Sequence, residues 1–276
     1  MCKVLGIRRS TYYKKCNWTT SQREIETQKL DAEIKKIYFD SKKRYGAPKI
    51  HNILSSEGRT VSLKRVQRRM VAMGLRSIVI KKYRHYSGHT KVVEQENLLQ
   101  QDFTATAINQ KWCTDITYIH TLKDGWTYLA SVMDFYSKKI IGWSYGTHMT
   151  ADLALKAVEN ACLNVKSTEG IIIHSDLGSQ YTSDLFESYL SKAKMKHSFS
   201  RKGCPYDNAC IESFHSLIKR EWLNRFHIRN YKHAYSLVFE YIETFYNTVR
   251  IHSHCEFMSP DEFEKLYERA KLLPAA

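Results

Sequence analysis

The alternation of apolar and polar positions predicts a mixed α/β unit over residues 102–276. Period-two alternation or a short apolar run predicts five strands, at 111–119, 126–135, 139–145, 170–174 and 196–200. A turn at 134–138 joins the second and third strands as a hairpin, and we expect the fifth strand at an edge. Three- and four-residue apolar spacing predicts helices at 151–165, 182–193, 211–222, 231–248 and 260–271. The unit is therefore predicted to be a five-stranded sheet with flanking helices.

The helix predicted at 211–222 has two distinct faces. Its apolar stripe consists of Ile211, Phe214, Ile218 and Trp222. The polar residues Glu212, His215, Ser216 and Lys219 fall on another face. Seven residues are nearly two turns, so we expect Lys219 about 10 Å along the axis from Glu212 and nearly in line with it. A carboxylate and a cation in that arrangement suit a site that holds a metal ion and steers a phosphate.

A smaller helical unit is predicted within residues 1–100, as a helix-turn-helix at about 28–75. Its first helix spans about 22–39, its second begins near Pro48, and its third begins at Ser62 and ends at Gly74. The third helix is predicted to bury Leu63, Val66, Met70 and Met73. Its other face carries Lys64, Arg65, Arg68 and Arg69. This outline is typical of a helix that enters the major groove of DNA, and the simpler alternative is a solvated charged face.

The uneven distribution of charge supports the nucleic-acid interpretation. The net charge of the chain is +15, and residues 1–100 hold 23 Lys and Arg against 8 Asp and Glu, which accounts for all of it. Residues 102–276 are close to neutral, and the polar stretch at about 83–101 is predicted to be the linker. No apolar run is long enough to span a membrane, and the seven cysteines contain no C-x-x-C pair. We expect a cytoplasmic protein with reduced thiols.

Three acidic residues are the candidates for catalysis. Asp115 lies within the first predicted strand, and Asp176 directly follows the fourth, where α/β sheets usually place ligands. Glu212 lies on a helix that can pack beside them. Carboxylates without soft ligands nearby favour Mg²⁺ or Mn²⁺, and two such ions can act on a phosphodiester. Asp134 is a competitor by position, but its place in the 134–138 turn favours a turn role.

The spacing and the local words around these acids resemble a known family. Sixty residues separate Asp115 from Asp176, 35 separate Asp176 from Glu212, and Lys219 follows seven later. The words are WCTDIT (112–117), HSDLGSQY (174–181) and GCPYDNACIESF (203–214), with Tyr246, Asn247, Arg250 and Ser259-Pro260 near the end. Together they resemble the D,D(35)E signature of transposases and retroviral integrases, and most closely the second-frame transposases of insertion-sequence family three. The resemblance covers nearly the whole chain.

The resemblance implies a fold, a reaction and a set of site residues. It implies an RNase H-like catalytic core that cleaves the ends of a mobile element and joins the freed 3′-hydroxyl to another phosphodiester. Asp115, Asp176 and Glu212 would hold two Mg²⁺ or Mn²⁺ ions, and Lys219 would contact DNA. His174, Gln180, Asp207 and Asn208 lie inside matching words and would have positioning roles.

The implied partners follow from the same family. The first is double-stranded DNA, which includes the terminal inverted repeats of the element and the target DNA. The second is further copies of the chain, bound to the same DNA. The third is the protein of the upstream reading frame, either fused by a frameshift or as a separate chain. The expected location is the bacterial cytoplasm, in association with the nucleoid.

Two other functions are compatible with parts of the pattern. A non-catalytic DNA-binding regulator would need only the basic first third of the chain. A nuclease of the RNase H type would hydrolyse RNA–DNA hybrids without needing element ends, although the A-form major groove is poorly accessible to a helix. A zinc site at 252–255 would need a second ligand pair at the usual spacing, which the sequence does not provide.

Overall fold

The chain divides into two compact units, Met1–Ile78 and Val79–Ala276. In the computed structural model the described residues are 2, 4, 6–17, 20–79, 97–100, 102–201 and 205–272. Most of the predicted linker at 83–101 lies outside them. Residues 97–100 belong to the second unit, and within it the backbone N–H groups of Leu98 and Leu99 donate to Ser198 Oγ at 3.0 and 3.3 Å.

The first unit is helical, as predicted. Its helices are α1 (Arg9–Cys16), α2 (Gln22–Asp40), α3 (Ala47–Ser56) and α4 (Leu63–Ala72). Ser21 caps α2 and Ser62 caps α4, because each side chain accepts a hydrogen bond from a first-turn backbone N–H. No helix is predicted at α1, since its residues form no apolar stripe, and the structure buries none of them. The core of the unit consists of Leu30, Ile34, Ile50, Leu54 and Val66.

Two of the four positions predicted to be buried in α4 are not. Val66 and Met70 are buried, but Leu63 is 37% exposed and Met73 is only half-buried. Leu63 is the first residue of the helix, where the chain has only begun to turn toward α2 and α3. The apolar stripe that docks α4 therefore starts one turn later than predicted.

The second unit is built on the predicted five-stranded sheet. Its strands are β1 (Lys111–Thr121), β2 (Gly125–Asp134), β3 (Ile140–Gly146), β4 (Ile172–Ser175) and β5 (Lys196–Phe199). The strand order is β3-β2-β1-β4-β5, so β5 lies at an edge, as predicted. β2 is antiparallel to β1 and β3, whereas β4 is parallel to β1 and β5. Because β1 pairs with β2 on one side and β4 on the other, it lies at the centre of the sheet.

The helices of this unit also correspond to the predictions. They are α5 (Ala151–Cys162), α6 (Asp184–Lys192), α7 (Ala209–Glu221), α8 (Tyr231–Tyr241) and α9 (Pro260–Leu272). The helix predicted at 231–248 continues beyond α8 as a π-helical turn, Ile242–Tyr246. Among the described residues, no helix is long and apolar enough to cross a membrane.

One face of the sheet is covered by α5 and α6. Trp112 and Ile116 of β1 point into this layer with Ala154, Val158 and Phe186. Gly142 of β3 allows α5 to approach very closely: a Cβ there would lie 2.3 Å from the carbonyl oxygen of Ala157. The glycine is therefore required by the packing, and Asp115, whose side chain alternates with those of Trp112 and Ile116, points to the opposite face.

The opposite face is covered by α7 and α8. His215 of α7 reaches Asp115 and Ser131, on β1 and β2. Trp143 of β3 donates to Glu243 and contacts Tyr235 of α8. The polar face predicted for α7 is thus turned partly toward the sheet.

Asp134 has the turn role that the sequence favours. It is fully buried and accepts hydrogen bonds from the backbone N–H groups of Asn109, Tyr136 and Ser137. Burial raises its pKa, although these bonds act in the opposite direction. The carboxyl group therefore fixes the β2–β3 turn and lies outside the candidate site.

Candidate active site

The sheet register sets Asp115 and Asp176 side by side. In the parallel β1–β4 pair, Cys113 is opposite His174. Two residues beyond this last pair of the ladder lie Asp115 on β1 and Asp176, which directly follows β4, and the two carboxylates are electrostatically coupled. Neighbouring strands lie about 4.8 Å apart, and an offset of two residues returns the side chains to the same face. Two carboxylates separated by 60 residues in the sequence thus meet at the carboxyl end of β4.

The electrostatics of Asp176 reflect this proximity. Burial raises its pKa, and the negative charge of Asp115 raises it further. The backbone N–H of Gly178 donates to Asp176 Oδ1 at 2.9 Å and partly offsets both effects. The ionised pair is therefore held at a cost in free energy, which a cation between the two carboxylates would relieve.

Helix α7 brings the remaining candidates to the same region. His215 Nδ1 lies 3.4 Å from Asp115 Oδ2, which fixes the helix above β1. Glu212 precedes His215 by three residues and Lys219 follows it by four, so the three side chains share one side of the helix. Glu212 lies in the exposed first turn of α7.

Lys219 is electrostatically coupled to Asp115. Burial lowers the pKa of its ammonium group, and the negative charge of Asp115 raises it. A partly buried cation beside two carboxylates is suited to bind a phosphate oxygen at the place where the carboxylates act. The structure therefore brings Asp115, Asp176 and Lys219 together, with Glu212 at the adjoining end of α7.

The donor set fits a hard divalent cation. Asp115 and Asp176 offer oxygen ligands, and because the negative charge of Asp115 raises the pKa of Asp176, a cation between them would be favoured. Within the part of the chain that the structure describes, no three His, Cys, Asp or Glu side chains are clustered closely enough to hold a metal ion. The two aspartates thus form the preformed part of the site, and Glu212 does not complete a three-carboxylate cluster in this arrangement.

His174 has structural contacts. Its Nδ1 and Nε2 lie 3.0 Å from the hydroxyl groups of Ser198 and Ser200 on the neighbouring strand and the residue after it. Burial lowers its pKa to about 4, so the ring is neutral at pH 7. His174 therefore ties β4 to β5, two residues before Asp176.

The other residues assigned positioning roles lie around the start of α7 and near Asp176. Asp207 is buried and accepts from the backbone N–H of Arg201 and from Asn97. Asn208 precedes α7 and is buried, and its Oδ1 has no hydrogen-bond partner among the described residues. Gln180 makes one long contact, 3.5 Å, with the carbonyl oxygen of Met149. Gln180 Oε1 also lies 2.8 Å from the point where a Cβ of Gly178 would be.

The basic face of α4 is divided by an internal ion pair. Lys64, Arg65 and Arg68 are exposed. Arg69 donates two hydrogen bonds to Asp31 of α2, at 2.8 and 2.6 Å, and this pairing raises its pKa. Three of the four predicted DNA contacts are therefore available on the surface, whereas Arg69 ties α4 to α2.

Sequence reasoning placed His215 on the polar face of α7 but gave it no role. The structure buries it between Asp115 and Ser131, whose hydroxyl lies 3.3 Å from His215 Nε2. Ser131 is opposite Asp115 in the β1–β2 ladder. Helical spacing could have identified it. His215 lies three residues after Glu212 and four before Lys219, so its side chain is on the same side of the helix as theirs.

The alternative zinc ligands at 252–255 have other partners. His254 Nε2 lies 2.9 Å from the carbonyl oxygen of Tyr136, and Cys255 Sγ lies 3.1 Å from that of Ser137. Both contacts join this segment to the β2–β3 turn. The geometry thus favours a structural role for the segment.

Family models match both units of the chain. An HTH-like domain matches residues 24–83, and an integrase core domain matches residues 105–205 and, as a second model, residues 193–260. These matches confirm the helix-turn-helix and the integrase-type core expected from the sequence.

Solved structures of retroviral integrases have a similar core. The HTLV-2 integrase catalytic core, solved in complex with magnesium, is 16% identical, with a TM-score of 0.46, and covers 58% of this chain and 99% of that one. The BIV integrase catalytic core is 16% identical, with a TM-score of 0.44, and covers 60% of this chain and 99% of that one.

Curated relatives match over most of their length. The transposase for insertion sequence element IS904 of Lactococcus lactis is 41% identical over 89% of this chain and 97% of that protein. Transposase InsF for insertion sequence IS3A of Escherichia coli is 40% identical over 96% of this chain and 92% of that protein. With this identity over nearly the full length, the chain belongs to the IS3 family of insertion-sequence transposases.

Proposed function

We propose that this protein cleaves DNA at the ends of an insertion sequence and joins the freed 3′-hydroxyl to another phosphodiester. The observation that supports the proposal is the β1–β4 ladder, which ends two residues before Asp115 and Asp176, together with the electrostatic coupling of these two carboxylates. Membership of the IS3 family supports the reaction class. In the joining step the hydroxyl oxygen bonds to phosphorus as the existing P–O bond breaks, so one phosphodiester replaces another.

The proposed cofactor is a pair of Mg²⁺ or Mn²⁺ ions held by Asp115, Asp176 and Glu212. When bound, such ions activate the attacking oxygen and stabilise the leaving oxygen. The chain contributes the hard oxygen ligands and fixes them: Asp176 through the N–H of Gly178, and Asp115 through its place in the central strand. Lys219 contributes positive charge for a non-bridging phosphate oxygen.

The proposed partners are the terminal inverted repeats of the element, target DNA and further copies of the chain. Lys64, Arg65 and Arg68 would contact DNA phosphates and bases from the first unit, and Lys219 would contact DNA at the cleavage site. The protein of the upstream reading frame is a further proposed partner, as a fusion or as a separate chain. The proposed location is the bacterial cytoplasm, at the nucleoid.

The catalytic assignment is tested by charge-neutral variants of the acids. We expect Asp115→Asn, Asp176→Asn and Glu212→Gln to abolish nicking and strand transfer on element-end DNA with Mg²⁺ or Mn²⁺. The control is Asp184→Asn, which removes an exposed carboxylate at the start of α6 and should retain activity. Wild-type rates in the Asp176 variant would contradict the assignment. Hydrolysis of RNA–DNA hybrids without element ends would instead identify a nuclease.

The DNA-binding assignment is tested by the salt dependence of affinity. Replacing Lys64, Arg65 and Arg68 together with Gln should weaken binding and reduce the slope of log K against log salt by about 0.9 for each lost phosphate contact. A matched control replaces Lys192, Lys194 and Lys196, three exposed lysines of the second unit, in the same way. If both triple variants showed the same slope of log K against log salt, α4 would not be part of the DNA interface.

A further inference from the structure

His215 connects three elements of the catalytic unit at one point. It lies on α7, its Nδ1 is 3.4 Å from Asp115 Oδ2 on β1, and its Nε2 is 3.3 Å from Ser131 Oγ on β2. The ring is almost enclosed: the side chain of His215 is 7% exposed and that of Asp115 is 19% exposed. Since Asp115 and Ser131 are opposite each other in the β1–β2 ladder, the imidazole spans one cross-strand pair.

The chemistry of the three groups defines the direction of the hydrogen atoms. A carboxylate oxygen accepts hydrogen bonds, so a hydrogen bond from His215 to Asp115 requires the tautomer with the proton on Nδ1. In that tautomer Nε2 would accept the hydroxyl proton of Ser131, whose Oγ lies 3.3 Å away. Ser131 is thus placed to select this tautomer.

This contact has two consequences for the site. It restricts rotation of the Asp115 carboxylate, because Oδ2 is engaged from the α7 side. It also fixes the position of α7 relative to β1, and with it Glu212 one turn before His215 and Lys219 one turn after.

We propose that His215, held by Ser131, is a positioning residue that orients the Asp115 carboxylate for metal binding and sets α7 in register with β1. The proposal rests on the proposed function, in which Asp115 is a metal ligand. Outer groups of this kind change metal affinity about 10- to 100-fold in other proteins when they are removed.

The first test measures Mn²⁺ binding directly on the full chain without DNA, by electron paramagnetic resonance titration. We expect His215→Ala to weaken Mn²⁺ binding about tenfold or more. His215→Asn should bind close to wild type, because its amide N–H can occupy the place of Nδ1–H. His215→Gln extends its amide toward the position of Nε2 and should resemble the alanine variant. Ser131→Ala should show a smaller loss.

A control variant separates positioning from general stability. His148→Ala removes an exposed histidine before α5 and should change neither Mn²⁺ affinity nor thermal stability. A purely structural His215 would lower the melting temperature in the alanine, asparagine and glutamine variants alike and leave Mn²⁺ affinity of the folded protein unchanged. That pattern, or equal affinity in the asparagine and glutamine variants, overturns the proposal.

The second test begins with the wild-type protein. Nitrogen-15 NMR of the metal-free wild-type protein should show the His215 ring protonated at Nδ1, and Ser131→Ala should alter that signal. A ring protonated only at Nε2 overturns the proposal even if an alanine variant fails to fold. Failure of the proposed function is distinguishable, since Mn²⁺ would then bind with equal affinity to wild type and Asp115→Asn.

Discussion

Asp115 and Asp176 lie side by side, but the chain holds them in different ways. Asp115 belongs to the central strand, paired with Ser131 of β2, and is contacted by His215 from α7. Asp176 lies just beyond the last ladder pair of β4 and is held by a short turn through the N–H of Gly178. One carboxylate thus depends on packing between distant elements, and the other on a local turn. Damage to distant packing should affect the Asp115 side, and damage to the turn should affect the Asp176 side.

The largest expected effect is on the free energy of unfolding. It comes from the ion pair that anchors α7, the helix whose His215 contacts Asp115. Arg250 donates two 2.8 Å hydrogen bonds to Glu221 at the end of α7, and Tyr241 donates a third, all buried. Arg250→Gln leaves the Glu221 carboxylate buried without its partner, and we expect it to lower the free energy of unfolding by about 3–5 kcal/mol. Urea denaturation measures this change.

An exposed pair provides the control for that variant. Lys156→Gln breaks the exposed ion pair with Asp152 on α5 and should leave the free energy of unfolding nearly unchanged. If both variants lose the same small amount, α7 is not anchored by the Glu221–Arg250 pair. The inference that the position of Asp115 depends on packing between distant elements would then be wrong.

The second prediction concerns the turn that holds Asp176. A Cβ at position 178 would lie 2.9 Å from Asp176 Oδ1 and 2.8 Å from Gln180 Oε1, so Gly178→Ala must displace one of them. We expect nicking to fall about 10- to 100-fold, since misplacement of a catalytic group by about 1 Å has that effect, while the melting temperature changes little. Gly46→Ala, whose Cβ meets only Pro48 at 3.8 Å, is the matched control.

The smallest effect is a gain in stability at Asp176. Because burial and the charge of Asp115 raise the pKa of Asp176, its ionised form destabilises the fold at pH 7. Asp176→Asn removes this charge and should raise the melting temperature only slightly, because solvent screens an exposed carboxylate, although we expect it to abolish catalysis. Calorimetry measures the gain, and an unchanged or lower melting temperature would show that the turn needs the carboxylate.

The pH dependence has a defined sign. A carboxyl with a raised pKa binds protons more tightly in the folded state, so its contribution to stability is lost as pH rises through the folded-state pKa. The free-energy advantage of Asp176→Asn over wild type should therefore grow as pH increases from below the ordinary aspartate pKa to neutrality. An advantage that is constant across this range would rule out Asp176 as its source.

The positions of the two aspartates were predictable from the sequence, because strand alternation and the end of an apolar run mark them. The pairing of β1 with β4 did not follow from those signals, since register depends on which side chains pack across layers. Gly142 is an example, because α5 packs so close to β3 that a side chain at this position would clash with it. The starts of α3 and α4 were predictable from Pro48 and Ser62, which act on their own neighbours.

The remaining features depend on contacts between residues far apart in the chain. Arg69 looks like its basic neighbours on a helical projection, and only the position of Asp31, 38 residues away, distinguishes it. The burial of His215 depends on Ser131, 84 residues away. The π-helical turn after Tyr241 has no counterpart in the apolar spacing that predicts a continuous helix.

The parallel pairing of β1 with β4 has a consequence for the order of events during synthesis. The ribosome releases the DNA-binding helices first, then β1, and the partner strand of β1 only some sixty residues later. Glu212 and its helix emerge after both. A nascent chain therefore contains α4, with its proposed DNA contacts, before it contains all three candidate catalytic acids. The candidate site can form only after α7 has been synthesised.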